Sequence, residues 1–258
     1  MNLDCAQRHF EDNGYVFLPS ILAADEAGRL AELIERRYRD PATHAAADAD
    51  HIRGGVSLMR MFEYDASFRD LLALEPVITL IERILGPDCH AIAQNGLRTS
   101  PGKGIVTWHI DDALFFPFLA DGRALQREII TAPCFSLNFM ILLTDAVAIE
   151  FGPTEVVAGS HRTGARPDRS ETLPPGTSPT SLLAAAGDGY LVNSQTWHRG
   201  AQNTSGRTRY LLTTAYGRRF ISQRFYPFLN YRMPDTVLDG ADHRLLRLLG
   251  RHEMGPYG

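Results

Sequence analysis

From Cys89 onward the chain is a succession of short extended stretches, each closed by turn residues. This punctuation limits the fold more than any other feature of the sequence. The stretches are 90–99, 105–111, 134–143, 155–158, 189–193 and 207–216. Between them stand Ser100-Pro101-Gly102, Gly152-Pro153, Gly159-Ser160 and Gly187-Asp188-Gly189. Glycine supplies the positive φ that tight turns require, and proline presets the first turn position. Many short strands at such spacing argue for an antiparallel sandwich or jelly roll. There is no βαβ rhythm, no phosphate-binding glycine loop and no internal repeat.

The residues before Cys89 read differently. Gly14 to Pro19 is a short strand closed by proline. Asp25 to Arg39 predicts a helix, since Ala27, Leu30, Ala31, Ile34 and Tyr38 recur at helical spacing with charges on the other face. Pro41 to Gly55 reads as a loop. A second helical region runs from about Ser67 to Leu85, with Val77, Leu80, Ile81 and Leu85 on one face and Gly86-Pro87 ending it. The expected fold class is mainly β with flanking helices. A single domain over 1–258 would have helical support at about 20–86 and a jelly-roll core at about 89–220. Two segments interrupt the strands. Ala113 to Thr131 is aromatic first (Phe115, Phe116, Phe118) and then charged. Arg162 to Pro179 has the Pro, Ser, Thr and Gly content of a mobile segment, which suits a loop closing over a substrate.

Charge and composition narrow the function classes. A net charge of −4 disfavours binding to nucleic-acid phosphates. No apolar run approaches the ~20 residues that span a bilayer. The opening MNLDCAQRHFEDNG is polar and acidic, unlike a secretory signal. Cys5, Cys89 and Cys134 are odd in number and form no zinc pattern, which fits free thiols in a reducing, cytoplasmic setting. The partner expected from this is a small molecule.

The chemistry begins in Gly104 to Phe118, GIVTWHIDDALFFPF. In an extended strand, residues two apart share a face, so His109 and Asp111 would project side by side. With a third ligand they would form the two-His-one-carboxylate facial triad of non-haem Fe(II) oxygenases. A His-x-acid tripeptide alone says little: nine histidines yield about one by chance. His9-Phe10-Glu11 is such a decoy, in a polar stretch with no strand leading into it, and His9 reads as a surface histidine. The third ligand is sought at His198, in Trp197-His198-Arg199-Gly200. A lone histidine beside a tryptophan is ordinarily a packed core residue. Here, however, a turn at Asn203 to Gly206 and a new strand from Arg207 would bring an arginine back towards it. A guanidinium grips a carboxylate with two parallel bonds. Parity leaves Arg207 and Arg209 on the same face, and does not choose between them.

Together, four stretches resemble the phytanoyl-CoA dioxygenase family of Fe(II)/2-oxoglutarate-dependent oxygenases. They are FEDNGYVFLPSIL, WHIDD, GPTEVVAGSHR (Gly152 to Arg162) and WHRGAQNTSGRTR (Trp197 to Arg209), and the resemblance spans nearly the whole chain. It implies a double-stranded β-helix, the cupin-like jelly roll. It implies iron ligands at His109, Asp111 and His198, and a grip on the distal 2-oxoglutarate carboxylate by Arg209, eleven residues after the last histidine. It also implies a role on 2-oxoglutarate for Thr154 of the GPT turn. There are departures. Val106 stands where relatives often carry glutamine, and Ala158 where proline is usual. Asn138 and Gln94 are candidate replacements for that glutamine, set against the plainer reading of polar residues satisfied inside the barrel. His161 reads as structural.

The implied reaction consumes Fe(II)-activated O2 and 2-oxoglutarate and releases CO2 and succinate. Hydroxylation of an unactivated C–H in a secondary-metabolite-like molecule is the default. Desaturation, epimerisation or ring closure are other fates of the same substrate. A carboxylate at 111, instead of a small residue, argues against a halogenase. Trp108 and the aromatics of Leu114 to Phe118 suit a partly apolar pocket, unless they simply fill the core. Arg162, Arg166 and Arg169 keep a charged substrate in view, whereas a CoA thioester finds no basic cluster. Two other classes compete. A zinc hydrolase would use the same ligands, but no motif supplies its general base and Arg209 and Thr154 would be left without a role. A non-catalytic jelly-roll binding module is opposed by the complete triad.

Overall fold

The computed structural model describes residues 1–45, 49–50, 55–114 and 133–253. Among them, ten strands pair antiparallel into two sheets. In chain order these are β1 (Tyr15–Leu18), β2 (Ala49–Asp50), β3 (Val56–Met59), β4 (His90–Thr99), β5 (Ser136–Leu142), β6 (Thr154–Val156), β7 (Thr180–Leu182), β8 (Gly189–Asn193), β9 (His198–Gly200) and β10 (Arg209–Gly217). The major sheet has the order β1-β8-β5-β10-β4-β3-β2 and the minor sheet β7-β6-β9. Neighbours are mostly remote in sequence, as in a jelly roll. The helices are α1 (Leu3–Asn13), α2 (Ala24–Arg39), α3 (Pro41–Ala45), α4 (Met61–Tyr64), α5 (Ala66–Asp70), α6 (Val77–Leu85), α7 (Asp235–Leu238) and α8 (His243–Leu248).

Strand β5 shows how the layers are built. All seven of its residues are buried, so both of its faces are covered. Leu137, Phe139 and Ile141 point into the large core beneath the helices, with Phe10, Ile34, Phe68, Leu80 and Ile81. Met140 and Leu142 point between the sheets, with Val156, Leu182, Tyr190, Val192 and Leu211. Side-chain alternation along the strand thus serves two cores at once. Helix α2 buries Ala27, Leu30, Ala31 and Ile34, as its periodicity predicts. Its acidic first turn and basic last turn complement the helix dipole. Ile34 lies close on Gly96 of β4, where a β-carbon would stand 2.8 Å from Ile34 Cδ1.

Several expectations are corrected. Residues 105–111 form no strand; His109 alone makes an isolated bridge, to His198. The stretch 41–55, read as a loop, contains α3 and β2. The helical region expected over 67–85 breaks into α5, a 3-10 turn at Leu71–Ala73 and α6, because Pro76 cannot sit inside a helix. Further elements escaped the pattern: α1, with only Ala6 and Phe10 buried, the short helices α4, α7 and α8, and the short strands β3, β7 and β9. After β10, Val237, Leu248 and Leu249 join the main core. Strands β2 and β3, from the part of the chain expected to be helical support, belong to the major sheet, whose β1 forms where the strand before Pro19 was expected. Phe115, Phe116 and Phe118 lie outside the described residues. No helix of the described residues is long and apolar enough to cross a membrane.

Candidate metal centre and its cavity

Gly14 is where the fold begins to place the site. It ends α1 in the left-handed region at φ +78°, donating to Phe10 O at 2.7 Å. A β-carbon there would stand 2.3 Å from Thr196 Oγ1, so only glycine fits both the backbone and the neighbour. Thr196 Oγ1 donates to Gly14 O at 2.9 Å. This anchors the turn after β8, from which His198 enters β9. The segment carrying His109 is then laid against β9 by reciprocal bonds. His109 N–H donates to His198 O and His198 N–H to His109 O, each at 3.0 Å. Asp111 N–H donates to Ser194 O at 3.0 Å.

The ligating atoms of His109, Asp111 and His198 all lie within 4.8 Å of one another. His109 Nδ1 lies 2.8 Å from Thr107 O, and His198 Nδ1 lies 2.8 Å from Thr196 O. A carbonyl only accepts, so each Nδ1 carries its proton and each neutral ring presents a bare Nε2 lone pair. Both Nε2 atoms face Asp111, at 3.7 Å for His109 and 3.4 Å for His198. Two imidazole lone pairs and a carboxylate aimed at one point suit a divalent transition metal.

The charges agree with this. Burial would raise the Asp111 carboxyl, but the neighbouring His198, with His109 and the Asn138 amide, holds it down at about 2. Burial lowers His109, and the adjacent His198 lowers it further. Burial would also lower His198, yet the Asp111 carboxylate outweighs it and the net direction is up. Of the two rings, His198 is thus the one whose protonated form is favoured on balance, by the Asp111 carboxylate.

A cavity of about 330 Å³ opens beside the three residues, lined by both sheets. Its floor is read from the register of the major sheet. Thr99 opposes Arg209, Leu97 opposes Leu211, Asn95 opposes Thr213, and Ala93 opposes Ala215. Arg209 thus occupies one end of the floor. It is buried, and its Nε has no hydrogen-bond partner. Its Nη2 reaches Thr99 Oγ1 at 3.5 Å, and it has no acidic partner among the described residues. Burial pulls its guanidinium below the usual arginine value, with Tyr190 opposing only in part. A buried cation without a counter-charge costs several kcal/mol, so this end of the cavity is built for an anion. Thr154 adds a donor. The Tyr190 hydroxyl donates to Thr154 Oγ1 at 2.6 Å, which leaves the threonine proton to be given to a ligand. Burial raises Tyr190, keeping that phenol protonated.

The other sequence candidates divide. Arg207 is exposed, over the Phe151 ring at 4.8 Å, so the structure picks Arg209 for the cavity. Asn138 lines the cavity and donates to Asp111 Oδ2, which makes it a holder of the carboxylate. Gln94 is not brought to the cavity. It sits between Ala93 and Asn95 on β4, and its amide donates to Phe68 O at 2.9 Å on the helical side. Strand alternation excludes it, and Asn95 has the face that Gln94 was expected to have. His161 is buried and bonded to Glu11 O at 3.0 Å. His9 is exposed, edge-on to Tyr15. Part of the 162–179 segment is fastened beside the centre. Trp108 N–H donates to Ser170 O at 2.9 Å and Arg199 Nη1 to Glu171 O at 2.8 Å. Sequence reasoning missed Tyr190, Asn95 and Arg224. Parity along β8 and β4 would have found the first two, while nothing local marks Arg224.

A model of the family described as phytanoyl-CoA dioxygenase (PhyH) matches residues 10–211. Dioxygenase af480 of Aspergillus fumigatus is 23% identical over 262 residues, covering 99% of this chain and 79% of its own. Among solved structures, HygX from Streptomyces hygroscopicus with nickel, 2-oxoglutarate and hygromycin B bound superposes with a TM-score of 0.66. It is 17% identical, over 84% of this chain and 88% of that one. The epimerase SnoN from nogalamycin biosynthesis, in complex with Fe3+, alpha ketoglutarate and nogalamycin RO, gives a TM-score of 0.60. It is 21% identical, over 84% of each chain. At these identities the structural likeness shows a shared jelly-roll fold.

Proposed function

Since the chain belongs to the phytanoyl-CoA dioxygenase family, we propose that it is an Fe(II)- and 2-oxoglutarate-dependent oxygenase that hydroxylates a small molecule at an unactivated C–H. The observation that carries this reading is one cavity holding three converged metal-ligand side chains and, at its end, a buried arginine with no counter-anion among the described residues. His109, Asp111 and His198 would hold the iron. When bound, the metal with 2-oxoglutarate supplies O2 activation, and the keto acid leaves as CO2 and succinate.

The chain's own residues do the rest. Arg209 receives the distal carboxylate of 2-oxoglutarate and Thr154 donates to it, which fixes the co-substrate's direction in the cavity. Leu97, Ile105, Met140 and Leu211 line the passage and keep water from it. Ala93 and Ala215, small residues at the other end of the floor, leave room for substrate. Asn138 orients Asp111. A small-molecule substrate and a cytoplasmic setting complete the proposal. The likeness to an epimerase supports a second outcome, epimerisation at the same cavity; product analysis by mass separates them, since hydroxylation adds one oxygen and epimerisation adds none.

The test is an anaerobic titration of metal-free protein with Fe(II) and 2-oxoglutarate, followed by the weak visible charge-transfer band of the chelate. The band is expected in the wild type and lost in Asp111→Ala and His198→Ala. A folded wild type that shows no band, or an Asp111→Ala chain with wild-type turnover, would overturn the assignment. Bound zinc with no 2-oxoglutarate dependence would instead support a hydrolase.

A further inference from the structure

The chain after β10 lies beyond the residues that the family model matches, yet one of its side chains reaches the candidate metal centre. Arg224 donates through Nη2 to Asp112 Oδ1, on the residue next to Asp111. The Asp112 side chain is only 5% exposed. Its other oxygen accepts from the Ser136 hydroxyl. Ser136 and Asn138 stand two apart on β5 and share a face. Ser136 therefore holds Asp112 while Asn138 holds Asp111. Arg224 is itself fixed to the major sheet, its backbone N–H donating to Ile92 O at 2.7 Å.

This matters because Asp111 lies in irregular chain. Among the described residues no strand ladder sets its direction; its N–H bond to Ser194 O and the grip on its carboxylate do. The seat of Asp112 fixes the peptide that follows. A carboxylate buried to this degree stays in place only with a charged, hydrogen-bonding partner, and Arg224 is the cation that meets it. We propose that Arg224, through its ion pair with Asp112, is a positioning residue for the metal-binding carboxylate of Asp111. The C-terminal stretch is thereby a working part of the centre as well as a layer of the core. The proposal rests on the reading of His109, Asp111 and His198 as metal ligands.

Ni(II) alone is the probe, titrated calorimetrically into the full metal-free chain without 2-oxoglutarate or substrate. Contacts of Arg224 with either ligand then cannot contribute. Arg224→Ala and Asp112→Asn are each expected to weaken Ni(II) binding about tenfold, the lower range for residues that orient metal ligands. The double variant should be no worse than either single one, and Arg224→Lys should recover most of the loss. Asp112→Asn keeps the side chain's shape and leaves no buried charge, so its urea midpoint should stay near wild type and it decides the matter if Arg224→Ala does not fold. Ni(II) affinity within twofold of wild type in Asp112→Asn, or losses that multiply in the double variant, overturns the proposal while leaving the metal centre standing. A folded wild type that binds no Ni(II) overturns both.

Discussion

Arg209 shows what a single residue contributes. Its guanidinium is buried at the end of the cavity with Nε unpaired, a position that is unfavourable until an anion arrives. Truncation to alanine should weaken 2-oxoglutarate binding by about 100-fold, in the range for removing one partner of a buried charged pair. Ni(II) binding without the co-substrate should be almost unaffected; calorimetry with each ligand separately checks both. The histidines lead to a pH prediction. Asp111 raises His198, and below that raised value a metal must displace the proton held there. Ni(II) affinity should therefore be independent of pH above the raised His198 value and fall about tenfold per unit below it. Affinity that instead rises on acidification would contradict the proton placement. These residues were legible to different depths. His109, Asp111, His198, Arg209 and Thr154 were all picked out, the first two from their spacing and the rest with the family resemblance. The choice of Arg209 over Arg207 came from that resemblance, because two residues of equal parity on one strand look alike until the register with Thr99 is known.

The same contrast holds for whole elements. Helix α2 was legible because its apolar stripe and its burial are one pattern, and β8 because its apolar run ends at turn residues on both sides. The 105–111 segment was misread as a strand for the same reason. Its residues are apolar and extended, but the ladder that defines a strand needs a neighbour in space, and here only the bridge from His109 to His198 forms. The two side chains still converge, because the backbone bonds from His109 and Asp111 to His198 and Ser194 fix them where strand geometry does not. The α1–β1 junction supplies the prediction at this scale. Gly14→Ala would put a methyl onto Thr196 Oγ1 in a left-handed turn. The combined backbone and overpacking cost is about 2–4 kcal/mol, visible as a lower urea midpoint. Because Thr196 leads to His198, Ni(II) affinity should fall as well, whereas a purely local effect would spare it.

Across the whole molecule, the helical layer is tied to the major sheet by Glu35 of α2. It accepts from Arg98 Nε of β4 at 2.7 Å and from the Tyr210 hydroxyl of β10 at 2.6 Å, with Arg39 beside it at 2.9 Å. Burial would raise this carboxyl, but Arg98, Tyr210 and Arg39 lower it from its usual 4.5 to about 2. A depressed carboxyl stabilises the fold above the unfolded value and loses that contribution as pH falls through the folded one. Glu35→Gln should thus cost about 1 kcal/mol near neutral pH, discounted for solvent screening. The deficit against wild type should shrink as pH falls from about 4.5 towards about 2. Urea denaturation of both chains across that range measures it, and a deficit that grew with acid would refute the assignment. By itself the sequence determined which residues are apolar, where turns must fall and which side chains have metal- and carboxylate-binding chemistry, since these depend on residue type and short-range period. Only the tertiary structure decided that Gln94 faces the helices while Asn95 faces the cavity, that Asn138 grips Asp111, and that Arg224 meets Asp112 from 112 residues away. Each of these depends on strand register or on contacts between distant segments, and no local pattern encodes which segments become neighbours.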